Sequence, residues 1–154
     1  MTTTLKPGDA APAFAGTTDA DAQVSLADFA GKTLVLYFYP KDDTPGCTVE
    51  ANEFSALAGE FAKKGAVVLG VSRDTVKSHC KFRDKYGLKV ALLSDPELAA
   101  HKAYGAWGEK NMYGKKVEGA LRSTFVIGPD GRLKQVYGTV KAAGHAAKVL
   151  AELG

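Results

Sequence analysis

Residues 33 to 39, Thr-Leu-Val-Leu-Tyr-Phe-Tyr, are apolar without alternation and rich in β-branched and aromatic side chains, the pattern of a strand buried on both faces. Over residues 45 to 64, Phe54, Leu57, Ala58 and Phe61 recur at helical spacing and predict an amphipathic helix that Gly65 stops. The buried-strand pattern returns at 66 to 71, a helix is expected from about 75 to 86, and Ala-Leu-Leu-Ser-Asp at 91 to 95 supplies a third strand. Asp95-Pro96-Glu97 offers an N-cap, a proline at the first helical position and a first-turn acid, which predicts a helix running to about Tyr104. Residues 105 to 120, with four glycines and Trp107, read as loop. Residues 123 to 138 hold two strands joined by Pro129-Asp130-Gly131, residues 142 to 153 read as a closing helix, and residues 13 to 26 as an N-terminal hairpin.

Strands alternating with helices require a largely parallel sheet covered on both faces, and a terminal hairpin followed by a helix adds an antiparallel edge. The expected architecture is therefore α/β and thioredoxin-like, with a mostly parallel central sheet. No repeat, low-complexity stretch or linker breaks the pattern, so residues 1 to 154 are expected to form a single domain.

Composition narrows the function classes. Hydrophobic residues at 45% and charged residues at 24% are globular proportions. The 20 Lys and Arg against 17 Asp and Glu never cluster beyond pairs such as Lys63-Lys64 and Lys115-Lys116, so no nucleic-acid partner is expected. The apolar run from Leu34 to Tyr39 falls far short of the ~20 residues that span a bilayer. Lys6 and Asp9 interrupt the start of the chain where a secretory signal needs an apolar core, so no membrane association and a cytoplasmic location are expected. Cys47 and Cys80 are too few for a disulfide framework or a Cys-only zinc site. His79, His101 and His145 lack metal-ligand spacing and read as helix-face histidines, and the glycines form no nucleotide-binding motif. Neither a metal nor a cofactor is expected.

The chemistry concentrates between Tyr39 and Glu50, where the central strand passes into the first helix. Reactive groups in open α/β sheets collect beyond the carboxyl ends of strands. With Thr44 as N-cap and Pro45 at the first helical position, Cys47 is the third helical residue, among unpaired N–H groups and the positive end of the helix dipole. Both favour a thiolate. Ionisation alone is worth on the order of tenfold in rate near neutrality, so substrate positioning by Thr44 and a nearby cation must supply the rest. Glu50, one turn along from Cys47, would oppose a thiolate unless a cation stood between them. Arg122, opening a strand expected beside the central one, is placed to stabilise the Cys47 thiolate while Glu50 orients it. A thioredoxin-type dithiol is disfavoured because Glu50 stands where the second cysteine of a C-x-x-C would be, and no arginine follows Cys47 closely as a cysteine phosphatase would need.

Pro40, Thr44 and Cys47 match the P-x-x-x-T-x-x-C signature of peroxiredoxins. The stretches PGCTVE at 45 to 50, VSRDTVKSH at 71 to 79, LLSDPE at 92 to 97 and RSTFVIGPDG at 122 to 131 resemble the bacterioferritin comigratory protein branch, also called Q-type. The resemblance implies a thiol-dependent peroxidase in which Cys47 is the peroxidatic cysteine and becomes a sulfenic acid. Thr44 and Arg122 would bind and polarise the peroxide, and Pro40 would shield the pocket from water. It also implies hydrogen peroxide and organic hydroperoxides as substrates, thioredoxin or glutaredoxin as reductant, and a monomer.

A sulfenic acid must meet a thiol or risk overoxidation, and Cys80 is the other cysteine of the chain. In one pattern of the family the resolving cysteine follows the peroxidatic one by five residues, where this chain has Asn52. In another it lies on the next helix, at the position held here by Arg83, so Cys80 is displaced by about one turn. His79, Phe82 and Tyr86 centre the apolar face of that helix and place Cys80 at its flank. An intramolecular disulfide from Cys47 to Cys80 is expected, with the first helical turn, the second helix, or both unwinding on oxidation, because helices of a folded domain hold such cysteines beyond disulfide reach. The alternatives are a one-cysteine peroxidase using an external resolving thiol, and a redox-sensing or holdase module without turnover.

Overall fold

The computed structural model describes residues 3–153. Among these residues, nine strands and five α-helices follow in chain order: β1 (Ala15–Thr18), β2 (Gln23–Ser25), β3 (Thr33–Phe38), α1 (Pro45–Ala56), α2 (Ala58–Lys63), β4 (Ala66–Ser72), α3 (Val76–Tyr86), β5 (Ala91–Ser94), α4 (Ala99–Ala103), β6 (Trp107–Met112), β7 (Lys115–Ala120), β8 (Ser123–Ile127), β9 (Leu133–Tyr137) and α5 (His145–Glu152). Seven strands form one sheet in the order β2-β1-β5-β4-β3-β8-β9. Its centre, β5-β4-β3, is parallel, and antiparallel hairpins complete both sides. This is the thioredoxin-like α/β fold that the alternating pattern predicts.

Period-two alternation sorts β3 into two cores. Val35, Tyr37 and the following Tyr39 meet α1, α2, α3 and α5 through Phe54, Phe61, Phe82 and Val149. Leu34, Leu36 and Phe38 face the other way, against Tyr104, Phe125 and the N-terminal Phe14. Every residue of β3 is buried, which is why its sequence shows no polar alternation.

Three expected elements differ from those observed. The helix of residues 45 to 64 is two helices, broken at Leu57 (φ −98°, ψ 3°). Asp95 does not cap a helix at Pro96. Its carboxylate is taken by His101, at 2.9 Å from the backbone N and 2.6 Å from Nδ1, and Leu98 in the left-handed region delays α4 to Ala99. The segment expected as loop, 105 to 120, is the β6–β7 hairpin. Its sequence carries no apolar period because the ribbon lies off the main sheet, and its two-residue turn places Tyr113 (φ 53°) and Gly114 (φ 79°) in the conformation a tight hairpin requires. Among the described residues, no helix is long and apolar enough to cross a membrane.

Candidate active site

Thr44 takes the extended conformation of an N-cap (φ −105°, ψ 155°) and Pro45 stands at N1, so Cys47 is the third residue of α1. The Thr44 side chain makes no capping bond; its hydroxyl donates to the Lys41 carbonyl at 2.8 Å, which spends the proton and leaves the oxygen's lone pairs to accept. Cys47 is buried, 1% exposed, with free sulfur. Pro40 and Thr44, in the segment that leads from β3 to α1, are half-buried.

Arg122 comes to this place through strand register. Ser123 opposes Phe38 in the antiparallel β8–β3 ladder, so Arg122 projects from just beyond the strand end where α1 begins. Its Nη2 donates to Cys47 Sγ at 3.4 Å and its Nη1 to Glu50 Oε1 at 2.7 Å. A Cβ at position 46 would lie 3.0 Å from Arg122 Nη2, so Gly46 is the residue that lets the guanidinium pass over the helix start.

The electrostatics are those of charges held away from water. Burial pushes the Glu50 carboxyl up to about 7, against the opposing pull of Arg122. Its Oε2 and the hydroxyl of Tyr37 are buried without a hydrogen-bond partner among the described residues. Burial, reinforced by the charges of Glu50 and Cys47, holds the Tyr37 phenol well above its ordinary range and keeps it neutral. Burial disfavours the Arg122 cation, but Glu50 and Cys47 more than restore it. Lys110, on β6, is a cation the sequence reading passed over, since its segment carries no strand signal. Its Nζ donates to the Ala120 carbonyl at 3.0 Å, and burial holds it below the usual lysine range while Cys47 opposes that shift.

Cys47, Thr44, Glu50 and Arg122 thus converge on one helix start. Cys80 is engaged elsewhere: half-buried on α3, its thiol donates to the Asp19 carbonyl at 3.0 Å, and Arg83 donates to the same oxygen at 3.1 Å. The histidines expected on helix faces are all buried in polar pairs, His79 with Asp42, His101 with Asp95 and His145 with Thr124. Chemically, a buried sulfur beside a fixed guanidinium, unpaired helical N–H groups and an accepting hydroxyl can take up a small polar oxidant and stabilise the anion that leaves it.

Residues 7–136 match the model of the AhpC/TSA family. The chain is 53% identical over 131 residues to peroxiredoxin Bcp of Xanthomonas campestris, covering 85% of this chain and 82% of the relative. It is 40% identical to peroxiredoxin Bcp of Escherichia coli, covering 95% and 94%. Structures of the Xanthomonas campestris bacterioferritin comigratory protein, described in terms of its alkyl peroxide reduction activity with a trapped intermediate and ligand, superpose with a TM-score of 0.86 at 49% identity, covering 91% of this chain and 89% of that one. The chain therefore belongs to the AhpC/TSA family and, within it, to the Bcp or Q-type peroxiredoxins. It is a thiol peroxidase, consuming peroxide at the expense of a thiol reductant.

Proposed function

We propose that Cys47 is the peroxidatic cysteine and that hydrogen peroxide and organic hydroperoxides, alkyl peroxides included, are its substrates. The observation that carries this reading is the Arg122 guanidinium bridging Cys47 Sγ and Glu50 at the start of α1. The thiolate attacks the terminal peroxide oxygen, the O–O bond breaks, Cys47 becomes a sulfenic acid, and the departing hydroxide or alkoxide takes a proton to leave as water or alcohol. Thr44 accepts a hydrogen bond from the bound peroxide, Arg122 stabilises the negative charge that moves onto the departing oxygen, Pro40 keeps water from the pocket, and Glu50 orients Arg122.

Cys80 then attacks the sulfenic sulfur, forming the Cys47–Cys80 disulfide and releasing water. Thioredoxin or glutaredoxin reduces that disulfide, and the enzyme works as a cytoplasmic monomer. A second reading, a one-cysteine cycle with an external thiol, draws support from the engagement of Cys80 with the Asp19 carbonyl.

Intact mass with non-reducing peptide mapping, after one equivalent of hydrogen peroxide, separates the readings. A loss of about 2 Da with Cys47 joined to Cys80 is expected. A gain of about 16 or 32 Da on Cys47 would keep the peroxidase and replace Cys80 by an external thiol. Sustained turnover with a reductant distinguishes either from a sensor or holdase, and no reaction at Cys47 would overturn the assignment.

A further inference from the structure

Asp42 lies two residues before Thr44, and its buried carboxylate gathers three side chains from two elements. Tyr39, at the end of β3, donates to Oδ1 at 2.6 Å; Ser78, on the first turn of α3, donates to Oδ2 at 2.8 Å; and His79 Nδ1 lies 2.7 Å from the same Oδ2. His79 is fully buried, and its Nε2 is 3.1 Å from the Leu93 carbonyl on β5. A carbonyl only accepts, so Nε2 is the donor to Leu93, and Nδ1 is the ring nitrogen that faces the Asp42 carboxylate. The backbone of Asp42 is fixed too, donating to Asp74 Oδ2 at 2.9 Å.

The next residue of α3 is Cys80, whose sulfur is turned to the Asp19 carbonyl. At the far end of the same helix, Lys85 and Tyr86 donate to Asp43 at 2.8 and 2.6 Å. The loop leading to the peroxide site is thus bolted to both ends of the helix that bears Cys80. Open surface grooves flank this seam, one of about 650 Å³ lined by Asp42, Asp43, Phe82 and Lys85 and one of about 440 Å³ lined by Pro40, Lys41, Arg73 and Ser78. Across this seam the Asp42–His79 hydrogen bond is buried at both partners.

We propose that the Asp42–His79 pair is a latch that sets how readily α3 gives up Cys80, and that opening it also loosens the loop carrying Thr44. This rests on the reading of Cys80 as the resolving cysteine. Turning the first turn of α3 to carry Cys80 towards Cys47 draws His79 away from both Asp42 and the Leu93 carbonyl, leaving a buried carboxylate with one fewer partner. Closed, the latch holds Thr44 in place for the peroxide; open, it frees the sulfur that closes the disulfide. The two steps therefore compete for one seam, and Asp42 and His79 are positioning residues for the choice between them.

The test is rapid mixing of the full chain with hydrogen peroxide, following sulfenate and disulfide by quenched-flow mass spectrometry, for the parent, Asp42→Asn and His79→Gln. Loss of this buried hydrogen bond is expected to raise the ratio of the disulfide-forming rate to the sulfenate-forming rate about tenfold, and to lower overoxidation at a given peroxide concentration. Ser78→Ala, a milder change at the same carboxylate, is expected to move the ratio the same way by about threefold and keeps the test decisive if the buried variants fail to fold. A purely structural role would slow both steps together. A ratio unchanged within twofold in the folded variants overturns the latch alone, whereas a parent that never joins Cys47 to Cys80 overturns the reading of Cys80 and the latch with it.

Discussion

Arg122 donates to the Glu50 carboxylate at 2.7 Å while both side chains are largely withdrawn from water. The pair fixes the guanidinium in the plane where its second nitrogen meets the Cys47 sulfur. A free arginine would lose side-chain entropy each time it oriented towards a substrate, and Glu50 removes that cost beforehand.

Replacing Arg122 by Met is expected to lower the second-order rate of Cys47 with hydrogen peroxide by about 10²- to 10³-fold, as for loss of a preorganised charge-stabilising donor. Stopped-flow competition against a peroxidase of known rate measures it. A loss under threefold would remove Arg122 from the chemistry.

Gly46→Ala separates geometry from stability. Alanine favours the helix by about 0.5–1 kcal/mol, yet its methyl would press against Arg122 Nη2 from 3.0 Å. The expected outcome is a protein no less stable than the parent with a peroxide rate reduced about tenfold. Urea unfolding and stopped-flow kinetics on one preparation check both halves.

Glu50 makes stability depend on pH. Its folded-state carboxyl, pushed up to about 7 from the model-peptide value of 4.5, holds its proton more tightly than the unfolded chain does. Its contribution is therefore complete below pH 4.5 and is lost as pH rises through 7. The loss is about 3 kcal/mol at 1.36 kcal/mol per unit. Glu50→Gln is expected to flatten this decline between pH 5 and 8 in urea unfolding while lowering the peroxide rate, since amide holds Arg122 less firmly than carboxylate.

His145 acts in the opposite sense. Burial first, then the charges of Lys148 and Arg122, push its imidazole down to about 4, and Nε2 pairs with Thr124 Oγ1 at 2.7 Å. A depressed histidine stabilises the fold above its unfolded value of 6.5, and that contribution is lost as pH falls through 4. Thermal unfolding from pH 7 to 4 is expected to show a steeper fall for the parent than for His145→Asn.

The elements with strong local signals were legible along the chain. The uninterrupted apolar run of β3 announces a doubly buried strand, and Thr44-Pro45 ahead of Cys47 announces a helix start with a sulfur in its first turn, because capping and dipole effects act within a few residues. The need for a cation between Cys47 and Glu50 followed from like charges one turn apart. The β6–β7 hairpin was not legible, since a two-stranded ribbon off the main sheet need not alternate apolar and polar residues. Nor was the capture of Asp95 by His101, in which a side chain six residues on outcompeted the local cap. The register that sets Ser123 against Phe38, and so brings Arg122 over Gly46, and the pairing of Asp42 with His79 across 37 residues, were decided by tertiary structure. Local chemistry is written in neighbouring residues. Which distant side chains share a buried space depends on how the sheet orders its strands, and that order is fixed only when both cores close together.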